Sequence, residues 1–349
     1  MNDSKLMHAG TPGACAVRPG LFRSASWLRA WDQVWPCDVP ERPIYSGHSS
    51  NLIQYPINLA KLLRFQSAAP KAISTPCLEG FASEYLCFNS PADFSLFLQE
   101  AESGQWDQLY LRGLLDKDFE VDLLKQYCLT RGYLLMRRED MPAYGINTAN
   151  ATFDDYCAGL GKSTRDRVLG GRRRLQKRGE LHRRNLWPDI DHFLKILNQF
   201  HEVRWGKPCI VGESEQFIRL FLTHLQQEGG CVDLSALMLD DKCVSVMLDV
   251  ELDGWVYNLQ SGFSALDFGR VSLGMVHFGM QIEQSFSLSR CHYYDFMAGD
   301  GKSANYKASI ANNTLSMGDY YVVRSIGLKL AYQLNDCLKR NKNITRYPE

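Results

Sequence analysis

Between Cys231 and Phe263 three apolar runs of strand length follow one another almost without interruption: Cys231–Leu239, Cys243–Glu251 and Trp255–Phe263. Asp240-Asp241-Lys242 separates the first two and Leu252-Asp253-Gly254 the next, and Asp-Gly between apolar runs is a strong hairpin signal. A three-stranded meander has to bury a face, and helix-period segments flank it on both sides. Ile190–Trp205 sets Ile190, Phe193, Leu194, Leu197 and Phe200 at three-to-four spacing, and Phe217–Gln227 is a second helix closed by Gly229-Gly230. After a loop at Ser264–Gly269 the spacing predicts a helix over Val271–Leu288, then a strand over Cys291–Met297. Thr314–Val323 reads as a last strand and Ser325–Lys339 as a terminal helix with basic residues at its end.

The first half carries the same alternation in weaker form. Leu21–Trp35 has helical spacing with Ser24 or Ser26 as its cap, and residues 44–65 hold two short strands. Glu84–Asn89 reads as a strand, Ser90-Pro91 as the start of a helix over Ala92–Glu102, and Gln108–Arg112 as a strand. Asp118–Arg131 is a helix stopped by Gly132, and Tyr133–Arg137 a further strand. Strands alternating with helices predict an α/β fold, and two halves of similar make-up predict a tandem duplication. The expected division is a flexible lead-in at 1–20, one domain at 21–150, a second at 151–324, and a helix and tail at 325–349.

Composition excludes several classes. The 349 residues balance 39 basic against 39 acidic side chains, so any attraction to an anionic partner has to be local, and DNA is not an expected partner. The 11 cysteines form no C-x-x-C pair, which suits a reducing compartment and supplies no zinc site; no metal is expected. The N-terminus lacks the apolar centre of a signal peptide, and no run reaches the ~18–20 apolar residues of a membrane span. The expectation is a cytoplasmic protein, with the inner face of the membrane left open.

The chemistry gathers near the end of the chain. Tyr294-Asp295-Phe296-Met297-Ala298-Gly299-Asp300-Gly301 is a short strand running into a glycine-rich acidic loop, and Tyr306-Lys307 follows. A carboxylate, a phenol and an ammonium at one strand end are the parts from which acid–base catalysis is built. Separately, Lys162 to Arg184 holds ten Lys and Arg against Asp166 and Glu180, read either as a solvated helical face or as a cradle for a diphosphate.

The order helix–helix–β–β–β–helix–β resembles the GCN5-related N-acetyltransferase (GNAT) fold. From Gly161 to about Met317 the chain resembles the CelD-like acetyltransferase domains. The carriers are Lys162-Ser163-Thr164-Arg165, Phe200-His201-Glu202-Val203-Arg204-Trp205, Asn258-Leu259-Gln260-Ser261-Gly262-Phe263, Ser272-Leu273-Gly274 and the Tyr294–Lys307 group. In the first half, Phe22-Arg23-Ser24-Ala25-Ser26-Trp27 and Trp106-Asp107-Gln108-Leu109-Tyr110-Leu111 look like the corresponding part of the same proteins, which resemble the tandem folds of Fem-type aminoacyltransferases. The implied fold is two GNAT-like domains, each a mixed, mostly antiparallel sheet flanked by helices.

The implied reaction is transfer of an acyl group from acyl-CoA, such as acetyl-CoA, to a substrate amine in polysaccharide or cell-envelope synthesis. An aminoacyl-tRNA donor and a non-catalytic scaffold are the alternatives. Carried onto this sequence, the resemblance implies that Asp295 or Asp300 accepts the amine proton and Tyr306 protonates the leaving thiolate. Ser261, Gly262, Arg270, Ser272, Leu273 and Gly274 would hold the donor. Glu202, Arg204, Trp205, Lys307, Arg172 and Arg173 would face the acceptor, a small or sugar-linked amine or an anionic or lipid-linked diphosphate precursor. One departure is plain: where the family's pyrophosphate loop usually reads Gln/Arg-x-x-Gly-x-Gly/Ala, Arg270-Val271-Ser272-Leu273-Gly274-Met275 has a single glycine at the wrong spacing. For each residue the plainer alternative is a turn, a cap, a surface ion pair or core packing.

Overall fold

The computed structural model describes residues 20–35, 52–59, 63–72, 83–266, 268–298, 301–339 and 345–346. The lead-in expected at 1–20 lies almost wholly outside them, as do Asp300, Cys15, Cys37 and Cys77. After a 3₁₀ turn at Leu21–Arg23, α1 (Ala25–Val34) starts from Ser24, whose Oγ accepts the Trp27 N–H at 3.2 Å. A hairpin of β1 (Leu52–Leu59) and β2 (Leu63–Pro70) leads to α2 (Pro91–Ser103), capped by Ser90. Then come β3 (Gln108–Leu115), α3 (Phe119–Arg131) and β4 (Leu134–Asn147). Gly132 stops α3 in the left-handed region, φ +63°, as its position predicted.

The second half opens with α4 (Phe153–Gly159), α5 (Lys162–Arg165), a π-helical turn (Asp166–Gly170) and α6 (Gly171–Gln176). It continues with β5 (Leu181–Asn185), α7 (Ile190–Trp205) and α8 (Glu213–Gln227). The meander follows as β6 (Cys231–Leu239), β7 (Lys242–Leu252) and β8 (Trp255–Phe263). Next are α9 (Leu273–Ser287), β9 (Tyr293–Ala298), α10 (Gly301–Ile310), β10 (Asn313–Val323), α11 (Ile326–Lys339) and the short β11 (Thr345–Arg346).

These strands form one continuous sheet in the order β1-β2-β3-β10-β4-β9-β8-β7-β6-β5, with β11 beside β4. Each half lends a strand to the other: β4 lies between β10 and β9, and β10 lies between β3 and β4. Pairing is antiparallel except where β2 meets β3 and where β8 meets β9. One face of the second half is covered by α7 and α8 together with α1, whose Trp27 ring meets Phe217 and Phe221 at 4.8 and 4.9 Å. On the opposite face α9 packs on the sheet through Met275, Val276, Phe278 and Ile282.

Two expectations need correction. Glu84–Asn89 forms no regular strand; the chain there is irregular, with the Leu86 N–H donating to Gly113 O at 3.0 Å. The stretch after β9 continues into α10, so Tyr306 and Lys307 ride on a helix rather than a loop. The β3 backbone is shaped for the first of these contacts. Gly113 has φ +70°, and a Cβ there would fall 2.3 Å from Glu84 O. Gly113→Ala is therefore expected to lower unfolding free energy by about 2 kcal/mol or more, through left-handed strain and the backbone clash together. Gly159→Ala, whose Cβ would meet nothing within 4 Å, is the control. Urea denaturation checks both, and equal midpoints would contradict the close approach.

Candidate active site

β8 and β9 run together only briefly. They pair in parallel at Trp255↔Tyr293, Val256↔Tyr294 and Tyr257↔Asp295, and beyond that β8 keeps β7 alone. The β7–β8 register shifts between Leu248↔Gln260 and Asp249↔Asn258, so Leu259 is an extra, bulged residue. A bulge inverts the side-chain alternation that follows it. Before it Val256 packs on the α9 side; after it Phe263 does so, and Gly262 turns to α7. A Cβ on Gly262 would lie 3.0 Å from the Leu197 side chain, so the missing side chain lets α7 lie close over the open part of the strand.

What turns β9 away is Asp295. Its Oδ1 accepts the Met297 N–H at 2.7 Å, and Met297 sits at φ +66°, a left-handed conformation unusual for a residue with a side chain. The Tyr85 hydroxyl donates to the same carboxyl at 2.9 Å, Glu84 Oε2 accepts the Ala298 N–H at 2.8 Å, and Lys307 Nζ donates to Ala298 O at 2.7 Å. The end of β9 is thus gripped by the first half on one side and by α10 on the other. Asp295 is fully buried, and burial pushes its carboxyl up to about 7 against the stabilising bonds from Met297 and Tyr85.

Along the opening runs a cleft of about 410 Å³, walled by α7, β8, α9 and α10. Of the residues singled out in the sequence, it brings together Arg204, Trp205, Ser261, Gly262, Ser272, Gly274 and Tyr306. Ser272 precedes α9 without a side-chain bond to its first turn, so unpaired N–H groups of a fifteen-residue helix face the cleft. Arg204 stacks on the Phe263 and Trp205 rings at 4.4 and 4.9 Å. Burial raises the Tyr306 phenol, opposed by the Arg204 charge, so it stays protonated at neutral pH.

Other candidates fall elsewhere. Asp295 supports the cleft from within the core rather than lining it. Arg270 is exposed in the preceding loop, Leu273 is buried against Val276, and Glu202 is exposed. Lys307 is turned to the β9 carbonyls, Arg172 pairs with Glu283 at 2.5 Å, and Arg173 is exposed. Most of the basic stretch is engaged locally: Arg174 with Asp166, Arg183 with Asp233, and Arg165 with the carbonyls of Ala158 and Leu160. Arg167 lines the cleft; its guanidinium donates to Thr164 Oγ1 at 3.4 Å, while its buried Nε has no partner among the described residues. Its position on a π-helical turn gave no sign of this in the sequence. Among the described residues no carboxylate lines the cleft, no cluster suits a metal ion, and no helix is long and apolar enough to cross a membrane.

Beneath α9 lies a buried polar layer that sequence reading missed. The His277 ring sits between the Ser235 and Ser245 hydroxyls at 2.8 and 2.9 Å, and burial drives it down to about 3, so it is neutral. Gln281 Nε2 and the Tyr294 hydroxyl each reach Asp249 Oδ2 at 2.8 Å. These bonds fix the rotation of α9 and hence the aim of its N-terminus.

In the first half the matching opening is filled. β2 and β3 pair in parallel at Ser67↔Gln108 and Ala68↔Leu109, then part, and residues 83–88 take the place beside β3.

Residues 162–308 match the family described as acetyltransferase (GNAT) domain. No curated protein matches by sequence. Among solved structures the chain is similar to FemX, at 11% identity and TM-score 0.54 over 89% of this chain and 93% of that one. It is also similar to a conserved protein of unknown function from Bacteroides thetaiotaomicron, at 12% identity and TM-score 0.52 over 88% and 92%. A third is the C-terminal domain (DUF2156) of a protein assigned as a lysylphosphatidylglycerol synthetase from Agrobacterium fabrum, at 12% identity and TM-score 0.51 over 90% of each. At such identities the likeness is one of fold. The chain carries a GNAT domain over residues 162–308, and taken whole it shares the fold of FemX.

The buried carboxyl makes stability depend on pH. With its folded value at about 7, above the ordinary ~3.9, Asp295 binds its proton more tightly in the folded chain. The stabilisation this gives is whole below about pH 4 and is lost as pH rises through 7. Asp295→Asn keeps an acceptor for Met297 and is expected to gain on the wild type by up to a few kcal/mol between those limits. Urea titrations at a series of pH values check this; parallel curves for the two proteins would contradict it.

Proposed function

We propose that the chain is an N-acyltransferase that moves an acyl group from acyl-CoA to a substrate amine. The observation that carries this reading is the parting of β8 from β9 directly beside the open N-terminus of α9, with Arg167 and Tyr306 in the same cleft. On the open side of β8 no strand among the described residues takes the backbone N–H groups; the Ser261 N–H is held by Gln260 Oε1 at 3.0 Å, a bond that a carbonyl oxygen gaining negative charge can replace. The first turn of α9 and Arg167 suit a pyrophosphate, so the single glycine of this loop does not remove the anion site. No carboxylate offsets Arg167 or Arg204 within the cleft among the described residues, and this favours a polyanionic donor.

The amine attacks the thioester carbon, the oxyanion is held by β8, and the departing sulfur takes the Tyr306 proton, after which Arg204 stabilises the phenolate. Asp295 acts through the strand it bends. Trp205, 63% exposed at the cleft wall, offers a flat ring for a sugar-like acceptor, in keeping with an amino sugar or another cell-envelope precursor. An aminoacyl-tRNA donor drew its support from the basic stretch, three of whose eight arginines are paired with Glu283, Asp166 and Asp233.

Calorimetry with acetyl-CoA is expected to show binding that Arg167→Ala weakens about 10- to 100-fold, the cost of one charge-assisted contact. Tyr306→Phe is expected to cut kcat at least ~100-fold with acetyl-CoA affinity unchanged. Absence of heat with acetyl-CoA, longer acyl-CoAs and free CoA would contradict the donor assignment and favour a scaffold. Near-full turnover in the Tyr306 variant would remove the phenol from the reaction.

A further inference from the structure

The proposed transfer needs a group to accept the amine proton, and neither carboxylate suggested by the sequence is shown to serve. Asp295 is sealed in the core, and Asp300 lies outside the described residues. The described cleft-lining side chains that can exchange protons are two arginines, Tyr306 and His201. Arginine stays charged and the phenol is already the acid, which leaves the imidazole.

His201 stands at the reacting point for a reason that can be followed along β8. The Ser264 N–H donates to Val244 O at 2.9 Å, so residue 264, and residue 262 two before it, direct their backbone groups at β7. Ser261 and Phe263 therefore direct theirs into the opening. The Ser261 carbonyl, which a paired β9 would have taken, is instead bonded to His201 Nε2 at 3.0 Å. A carbonyl oxygen only accepts, so Nε2 carries the hydrogen and Nδ1 is left as an acceptor, with no protein partner among the described residues. The ring is fixed by α7, which approaches this closely because Gly262 has no side chain: a Cβ there would be 3.6 Å from the His201 ring. Arg204 on the same helix, Arg167 from the π-helical turn and Tyr306 from α10 line the cleft with it.

We propose that His201 is the proton acceptor of this site, taking the amine proton on Nδ1. This rests on the acyltransferase reading above. As the N–C bond forms, the amine proton passes to Nδ1. As the C–S bond breaks, its electron pair stays on sulfur, which receives the Tyr306 proton. The products are an amide and a thiol, and water returns the imidazolium proton to the phenolate.

His201→Gln tests it, because a glutamine amide can still donate to Ser261 O and fill the space but cannot take a proton. With acetyl-CoA and glucosamine as probes, the variant is expected to bind acetyl-CoA as the wild type does. Its kcat is expected to fall at least ~100-fold, with the acid limb of the kcat/KM–pH profile lost. A positioning role alone would leave His201→Gln near full activity with that limb intact, and this outcome overturns the proposal. So does retention of activity in His201→Gln alongside its loss in Asp300→Asn, which would move the base to Asp300. Wild type that neither binds acetyl-CoA nor acylates glucosamine or other amines would overturn the acyltransferase reading, and the proposal with it.

Discussion

The separation of β8 from β9 is the condition on which the rest of this molecule turns. Parallel strands with free backbone groups on both edges should zip together, since each unpaired buried N–H or carbonyl costs about 1–3 kcal/mol. Here zipping stops after three residue pairs because each strand is diverted by a local device. On β8 it is the bulge at Leu259; on β9 it is the Asp295 carboxyl, which takes up the Met297 amide and holds that residue left-handed. The groups released are then met individually: Ser261 O by His201, and the Ala298 amide and carbonyl by Glu84 and Lys307. An opening in a sheet made this way is held by specific hydrogen bonds, and the backbone beside it is oriented before charge develops there.

The two halves play unequal parts. Both contain a parallel strand pair that parts after a few residues, but the first fills its gap with its own chain at residues 83–88. The same segment projects Tyr85 and Glu84 onto β9, so the closed half helps to hold the other open. Exchange of β4 and β10, and the packing of α1 on α8, tie the halves into a single sheet. The boundary expected between residues 150 and 151 is crossed by the hydrogen bonds of β4 with β10 and β9. The account places the chemistry in the second half and the rigidity in both.

Much of this was legible in the sequence. The meander, the paired helices before it and α9 follow from periodicity and Asp-Gly turns, and α7 begins and ends where its pattern does. The cleft residues Tyr306, Ser261, Gly262, Ser272, Gly274, Arg204 and Trp205 came from motif resemblance and meet in space. What stayed hidden has physical reasons. A bulge changes facing by one residue without a composition signal, so the side to which Gly262 turns could not be read. Residues 84–89 look like a strand because they are largely apolar, and only Gly113, where a Cβ would clash with Glu84 O, marks their close approach to β3. Asp295 resembled a base because carboxylates at strand ends often are, whereas its partners are an amide two residues on and a phenol from the other half. Arg167 was one basic residue among ten, set apart by its place on the cleft wall.

The most direct test of the central claim is a crystal structure with a non-hydrolysable acetyl-CoA analogue bound. The account requires the carbonyl of the analogue to lie within hydrogen-bond distance of a β8 backbone N–H between Asn258 and Phe263, and its pyrophosphate against the first turn of α9 and Arg167. An analogue seated elsewhere, or β8 and β9 found zipped together past Tyr257 and Asp295, would contradict it.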